Sequence, residues 1–233
     1  MICLVDYRST IEERKALKKL GFEILEIPQN KILYPAIDGH VDIQLNILDK
    51  KRKLVVINKD LSNTFKSKLK EYDINFVDSN CSLGSKYPKN ICLNCYITNN
   101  FLIHNLKFTD SAILDNSINR KKIHVNQGYT KCSILPVREK AIITSDTGIS
   151  DALINEGFDV LLIPPGDIIL TGMNYGFIGG VGGMINENQM AFFGSLENYH
   201  FGNLVENFLK KYDVEPLSLS NTKLIDRGSL LVL

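Results

Sequence analysis

Residues Asp38-Gly39-His40-Val41-Asp42 run without a break into Ile43-Gln44-Leu45-Asn46-Ile47-Leu48. Polar and apolar residues alternate from His40 onward, which predicts a strand. His40, Asp42, Gln44 and Asn46 would share one face, and Val41, Ile43, Leu45 and Ile47 the other. A histidine two residues before an aspartate on a polar face can combine acid/base work with recognition of a cation.

On both sides of this stretch the same order of elements recurs. Before this strand, Ile2 to Val5 reads as a strand. Ser9 or Thr10 can cap a helix through Leu20 that Gly21 ends, and Phe22 to Ile27 is a second strand. After a turn at Asp49-Lys50-Lys51-Arg52, the order strand, helix, strand, strand repeats as Leu54 to Ile57, Leu61 to Lys70, Ile74 to Val77 and Ile91 to Ile97. A third unit has Phe101 to His104, a short helical piece near Ser111 to Leu114, Lys122 to Val125 and Thr130 to Val137. The fourth has Ala141 to Thr144, a helix after Ser145 or Asp146 that Gly157 ends, Val160 to Ile163 and the glycine-rich Gly176 to Ile185. The fifth has Met190 to Phe193, a helix over Phe201 to Tyr212, Val214 to Leu217 and Gly228 to Leu233. Five units of roughly 40 to 50 residues form a repeat architecture. The expected fold is one α/β domain over residues 1–233, a five-bladed α/β propeller that closes about a pseudo-fivefold axis and leaves no edge unit. Closure predicts that Gly228 to Leu233 pairs with Ile2 to Val5, leaving the termini adjacent.

Composition narrows the function classes. The formal net charge of +1 argues against nucleic acid or an anionic membrane as an obligate partner. The basic runs Lys50 to Lys53 and Arg120 to Lys122 are short and read as solvated turns. No run reaches the roughly 18 apolar residues of a membrane span, and Asp6 comes too early for a signal peptide, so a soluble cytoplasmic protein is expected. The five cysteines are then read as reduced thiols. Cys92 and Cys95 form a CxxC, but on the predicted strand they face opposite ways, and no metal is expected. His104, His124 and His200 read as structural.

The repeat and three of its motifs resemble the pentein superfamily of guanidino-group-modifying enzymes, and locally the agmatine deiminases. Asp38-Gly39-His40-Val41-Asp42 matches the glycine, histidine, hydrophobe, aspartate motif that supplies that family's catalytic histidine and a substrate-binding aspartate. Leu93-Asn94-Cys95-Tyr96-Ile97-Thr98-Asn99 is similar to the family's next module, and Gln127-Gly128-Tyr129-Thr130-Lys131-Cys132 to its approach to the nucleophilic cysteine. These modules close the family's chains and open this one, as in a circular permutation. On that reading Asp226-Arg227-Gly228-Ser229 takes the place of the family's Glu-Gly-Gly-Ser turn, whose acid binds guanidinium. Three departures stand out: Lys131 replaces a histidine, Arg227 replaces a glycine, and Gly176 to Gly183 lacks the aspartate expected of its module.

The resemblance implies Cys132 as nucleophile, His40 as general acid and base, and Asp42, Asp226 and Asn94 as substrate-binding residues, with no cofactor. The implied partner is a small cationic guanidino or amidine compound, and a homo-oligomer is compatible with the sequence. Three functions stay open: a hydrolase of the deiminase or dihydrolase type, an amidinotransferase using the same cysteine adduct, and a non-catalytic binding module, as in the ribosome anti-association factors.

Overall fold

The computed structural model describes residues 1–233. The chain begins with β1 (Ile2–Asp6), α1 (Ile11–Lys19) and β2 (Glu23–Ile27). Next come α2 (Val41–Gln44), β3 (Leu45–Asp49), β4 (Leu54–Ile57), α3 (Asn63–Glu71) and β5 (Asn75–Asp78). They are followed by β6 (Tyr96–Ile97), β7 (Phe101–His104), α4 (Ser111–Asp115) and β8 (Lys121–His124). A fourth group is α5 (Thr130–Ser133), β9 (Ile134–Arg138), β10 (Ala141–Thr144), α6 (Thr147–Ile154) and β11 (Asp159–Leu162). The chain ends with β12 (Gly182–Met184), β13 (Gln189–Phe192), α7 (Gly202–Lys211), β14 (Glu215–Ser218) and β15 (Leu231–Val232).

These strands form five separate three-stranded sheets of one design. In each, the middle strand pairs antiparallel with one neighbour and, across a helix, parallel with the other. The first sheet contains both ends of the chain. Cys3 pairs with Val232 and Leu4 with Leu231, and Ile2 N–H donates to the Leu233 carbonyl at 2.8 Å. Local chemistry sets the helix limits. Thr10 and Glu13 form a reciprocal capping box on α1, Asp146 Oδ1 accepts from Ile149 N–H on α6, and Gly21 and Gly157 follow those helices at positive φ.

Each of the five apolar clusters draws from two sheets. Leu4, Leu45 and Val55 join the sheets of β1 and β4, while Val56, Leu93 and Leu102 join those of β4 and β7. Ile103, Ile134 and Ile142 join the sheets of β7 and β10, and Ile143, Met190 and Phe192 those of β10 and β13. Ala191, Phe193, Val5 and Val232 then join the sheet of β13 back to that of β1. No helix is long and apolar enough to cross a membrane.

Two expectations are corrected. The strands predicted from His40 and from Thr130 each begin instead with one helical turn, α2 and α5. Likewise, 3-10 helix occupies Ile178–Gly180, and strand is confined to Tyr96–Ile97 and Leu231–Val232. The reason lies in the backbone bonds, which here go to distant segments rather than to a ladder. Asp42 N–H donates to the Gly228 carbonyl (3.2 Å) and Ser229 N–H to that of Gly180 (3.1 Å). A helical turn rises about 1.5 Å per residue against about 3.3 Å in a strand, so it packs these side chains close together. The second correction concerns the thiols. Cys81 and Cys92 are joined as a disulfide, and Cys3, Cys95 and Cys132 remain free.

Candidate active site

The helical turn α5 places Cys132 among residues from three other parts of the chain. Its N–H, and that of Lys131, donate to Asn94 Oδ1 at 3.2 and 2.9 Å. The Asn94 amide in turn donates to the Asp42 carbonyl (2.9 Å) and lies 3.2 Å from Cys132 Sγ. Asn94 is fully buried and joins the turns α2 and α5. One side chain thus fixes the relative position of the nucleophile candidate Cys132 and Asp42.

Asp42 stands behind the sulfur. Cys132 Sγ donates to Asp42 Oδ1 at 3.2 Å, and Ser229 Oγ donates to Oδ2 at 2.6 Å, with the Gly179 carbonyl also within its reach at 2.8 Å. Lys131 Nζ donates to that same hydroxyl at 2.9 Å. Burial pushes the Lys131 ammonium down from its ordinary pKa against the pull of Asp42. It pushes the Cys132 thiol well up, and the charges of Asp42 and Asp226 add to that effect. The resting cysteine is therefore a thiol.

On the other side of the sulfur, a cavity of about 360 Å³ is lined by Cys132, His40 and Asp226 together with aromatic and aliphatic side chains. His40 Nε2 lies 3.8 Å from Asp226 Oδ1, and neither ring nitrogen has a hydrogen-bond partner although the residue is only 1 % exposed. A buried polar group left unpaired costs about 1–3 kcal/mol. Asp226 accepts Phe177 N–H at Oδ2 (2.8 Å) and Gly228 N–H at Oδ1 (2.9 Å), which leaves a free acceptor direction on each oxygen. Burial raises its pKa while His40 lowers it.

Glycines make this arrangement possible. A Cβ on Gly180 would stand 1.9 Å from Asp226 Oδ1, one on Gly176 would stand 2.5 Å from Asp226 Cβ, and one on Gly228 would stand 2.3 Å from His40 Cβ. The glycine-rich stretch, which lacks an aspartate of its own, is thus the cradle in which the Asp226 carboxylate rests.

The profile of DUF6873, a family of unknown function, matches residues 4–231. The chain belongs to that family. No curated protein matches it in sequence. Among solved structures it is similar to SxtG, an amidinotransferase of the saxitoxin biosynthetic pathway from Microseira wollei. There the TM-score is 0.55 at 10% identity, over 94% of this chain and 79% of that one. The inosamine-phosphate amidinotransferase StrB1 from Streptomyces griseus gives 0.54 at 13% identity, over 96% and 80%. A mutant of DDAH from Pseudomonas aeruginosa, complexed with citrulline, gives 0.53 at 8% identity, over 94% and 92%. All three are pentein-superfamily proteins, and the likeness establishes a mixed α/β fold of pentein type for this DUF6873 member.

In this family member the five residues singled out from sequence come together but divide into two sets. Cys132, His40 and Asp226 line the cavity, whereas Asp42 and Asn94 lie behind Cys132. Asp38, at the head of the opening motif, turns away to Tyr7, Gln29 and Arg8. Sequence reading missed Ser229 as the partner of Asp42, Lys131 as the donor to Ser229, and Tyr34, Tyr129 and Phe177 as cavity walls. The one available signal was the serine that ends Asp226-Arg227-Gly228-Ser229. Donor atoms of Cys132, His40 and Asp42 lie within 4.8 Å of one another, but Asp42 is already engaged by the thiol and by Ser229.

Proposed function

We propose that this protein is a cysteine-dependent hydrolase of a small guanidino or amidine compound. The observation that carries the reading is the meeting of Cys132 Sγ, the unpartnered ring of His40 and the Asp226 carboxylate in one cavity. The same reading takes the five sheets as blades of a closed pentein propeller, which the apolar clusters shared by successive sheets support. It also takes the motif order as a circular permutation, which the adjacent termini support.

The free acceptor directions of Asp226 suit two parallel N–H donors of a planar cation. A bound guanidinium brings positive charge beside the sulfur and opposes the two carboxylates that hold the thiol protonated. The thiol proton passes to His40 and sulfur adds to the amidino carbon, giving a tetrahedral adduct. His40 returns the proton to the departing nitrogen, the C–N bond breaks, and an S-amidino-cysteine remains. Water, deprotonated by His40, adds to the same carbon, the C–S bond breaks, and His40 returns the proton to the departing sulfur. Overall, a guanidinium and water become a urea and ammonium when an unsubstituted nitrogen leaves. Asn94 and Asp42 hold and polarise the sulfur from behind.

Amidino transfer is a second reading, favoured by the near-complete burial of Cys132 and His40, which limits water in the empty site. Incubation with a haloacetamidine tests both. Cys132 should be labelled ahead of Cys3 and Cys95, with a pH profile that changes in His40→Ala, and equal labelling of the three would point to a binding module. Product analysis with and without an added amine then separates hydrolysis from transfer.

A further inference from the structure

The cavity is as informative for what it lacks as for what it holds. Its charged lining consists of Asp226 and the titratable His40, and it contains no lysine, no arginine and no second carboxylate. The buried Lys131 is tied to Ser229 and lines a different cavity, together with Asn46 and Arg138. A ligand carrying a carboxylate would therefore set a second anion near Asp226 with nothing to neutralise it. A ligand carrying a second ammonium would find no acid to meet it. An unpaired charge in such a site costs several kcal/mol.

Apart from Asn174 at the rim, the remaining walls are largely apolar. Tyr34 and Tyr129 share one hydrogen bond between their hydroxyls at 3.3 Å, and both side chains line the cavity. Tyr129 and Phe177 have centroids 6.3 Å apart, and Tyr175 meets Phe177 edge-on at 6.4 Å. Burial and the Tyr34 contact raise the Tyr129 phenol, so both rings stay neutral at ordinary pH. At the mouth, Met173 and Tyr175 are 52 % and 43 % exposed, flanking the exposed Asn174.

We infer that the ligand is a guanidinium or amidinium whose single charge pairs with Asp226 and whose tail is uncharged and apolar, an aryl or alkyl group lying against Tyr34, Tyr129, Phe177 and the Met173–Tyr175 rim. This rests on the function proposed above and narrows it by excluding amino-acid and diamine substrates. Burial of a tail of benzyl size removes on the order of 100 Å² of apolar surface from water, enough to decide between otherwise equal cations.

The test is calorimetric titration of Cys132→Ser, which keeps the cavity but forms no adduct, with benzylguanidinium, arginine, agmatine and neutral benzylurea. Benzylguanidinium is expected to bind at least about 30-fold more tightly than each of the other three. Arginine or agmatine binding as tightly as benzylguanidinium overturns the tail assignment and leaves the guanidinium reading intact. Benzylurea binding as tightly as benzylguanidinium, or no binding by any cation, overturns the guanidinium reading itself. In the unsubstituted protein, protection of Cys132 from iodoacetamide should follow the same order, so the result does not depend on the variant folding. Met173→Arg, at the exposed rim, should raise arginine affinity relative to benzylguanidinium; an unchanged ratio would remove the rim from the binding surface.

Discussion

His40 and His104 are buried to the same degree, and their surroundings differ in one respect. His104 has both nitrogens engaged: Nε2–H donates to the Gly128 carbonyl at 3.0 Å, and Nδ1 lies 2.8 Å from the Thr109 hydroxyl. His40 has neither engaged and faces a cavity. Folding alone accounts for the first histidine, which ties the end of β7 to the loop leading to Cys132. It does not account for the second, whose unpaired nitrogens lower stability unless a ligand meets them. Two of the buried aspartates, those nearest Cys132, divide in the same way. Asp42 is enclosed by Cys132 and Ser229, whereas Asp226 keeps acceptor directions open to the cavity. Burial marks both histidines; unmade bonds together with a place on the cavity wall set His40 apart.

The contrast breaks most visibly at His40. His40→Gln should lower turnover of a guanidino substrate by about 10³-fold, within the range for loss of a general acid/base, while the melting temperature shifts little. Equal losses of turnover in His40→Gln and His104→Gln would erase the distinction. Next in size is Asp226→Asn, which should weaken guanidinium binding to the Cys132→Ser protein by about 100-fold, the scale of one charge-assisted bidentate contact. Calorimetry reads this, and a neutral urea analogue should lose far less. Smaller again is Ser229→Ala, which leaves Lys131 Nζ and Asp42 Oδ2 each short of a partner. A loss of about 1–3 kcal/mol in urea unfolding is expected, with cation affinity nearly unchanged because Ser229 does not line the cavity.

Much of the framework could be read without coordinates. Phe101–His104 and Ala141–Thr144 are strands with the expected ends, Thr10 and Asp146 cap the expected helices, and the last strand pairs with the first. These features depend on local alternation, caps or a repeat. The site elements did not follow the same rules. Alternation after His40 reports which residues meet oil, but a four-residue turn is too short to leave a helical period of its own. Its backbone bonds go to Gly228, nearly the whole chain away. The fit between Gly180 and Asp226 was likewise illegible, since a glycine shows only that room is needed, not what fills it. The Cys81–Cys92 pairing was missed because the expected compartment led all five cysteines to be read as reduced thiols, and cysteine spacing alone does not determine partners.

The finest test of the comparison uses acid. Burial lowers the His104 pKa to about 4, against about 6.5 in an unfolded chain. Between those values the unfolded chain binds the proton and the folded one does not, so stability must fall as pH falls. The contribution of the neutral ring is complete above pH 6.5 and is lost progressively down to about pH 4, amounting to roughly 3 kcal/mol over the whole window. Paired carboxylates titrate in part of that range too, so the informative quantity is the difference between the unsubstituted protein and His104→Gln. At pH 7.5 the variant should be the less stable by about 1–3 kcal/mol, having lost a well-made pair of hydrogen bonds. At pH 4.5 that gap should shrink by roughly 2–3 kcal/mol or reverse, because glutamine has no proton to take up. Urea titrations at the two pH values decide the matter. Parallel curves would mean that His104 is not held neutral by its surroundings, and the framework half of the comparison would then have to be given up.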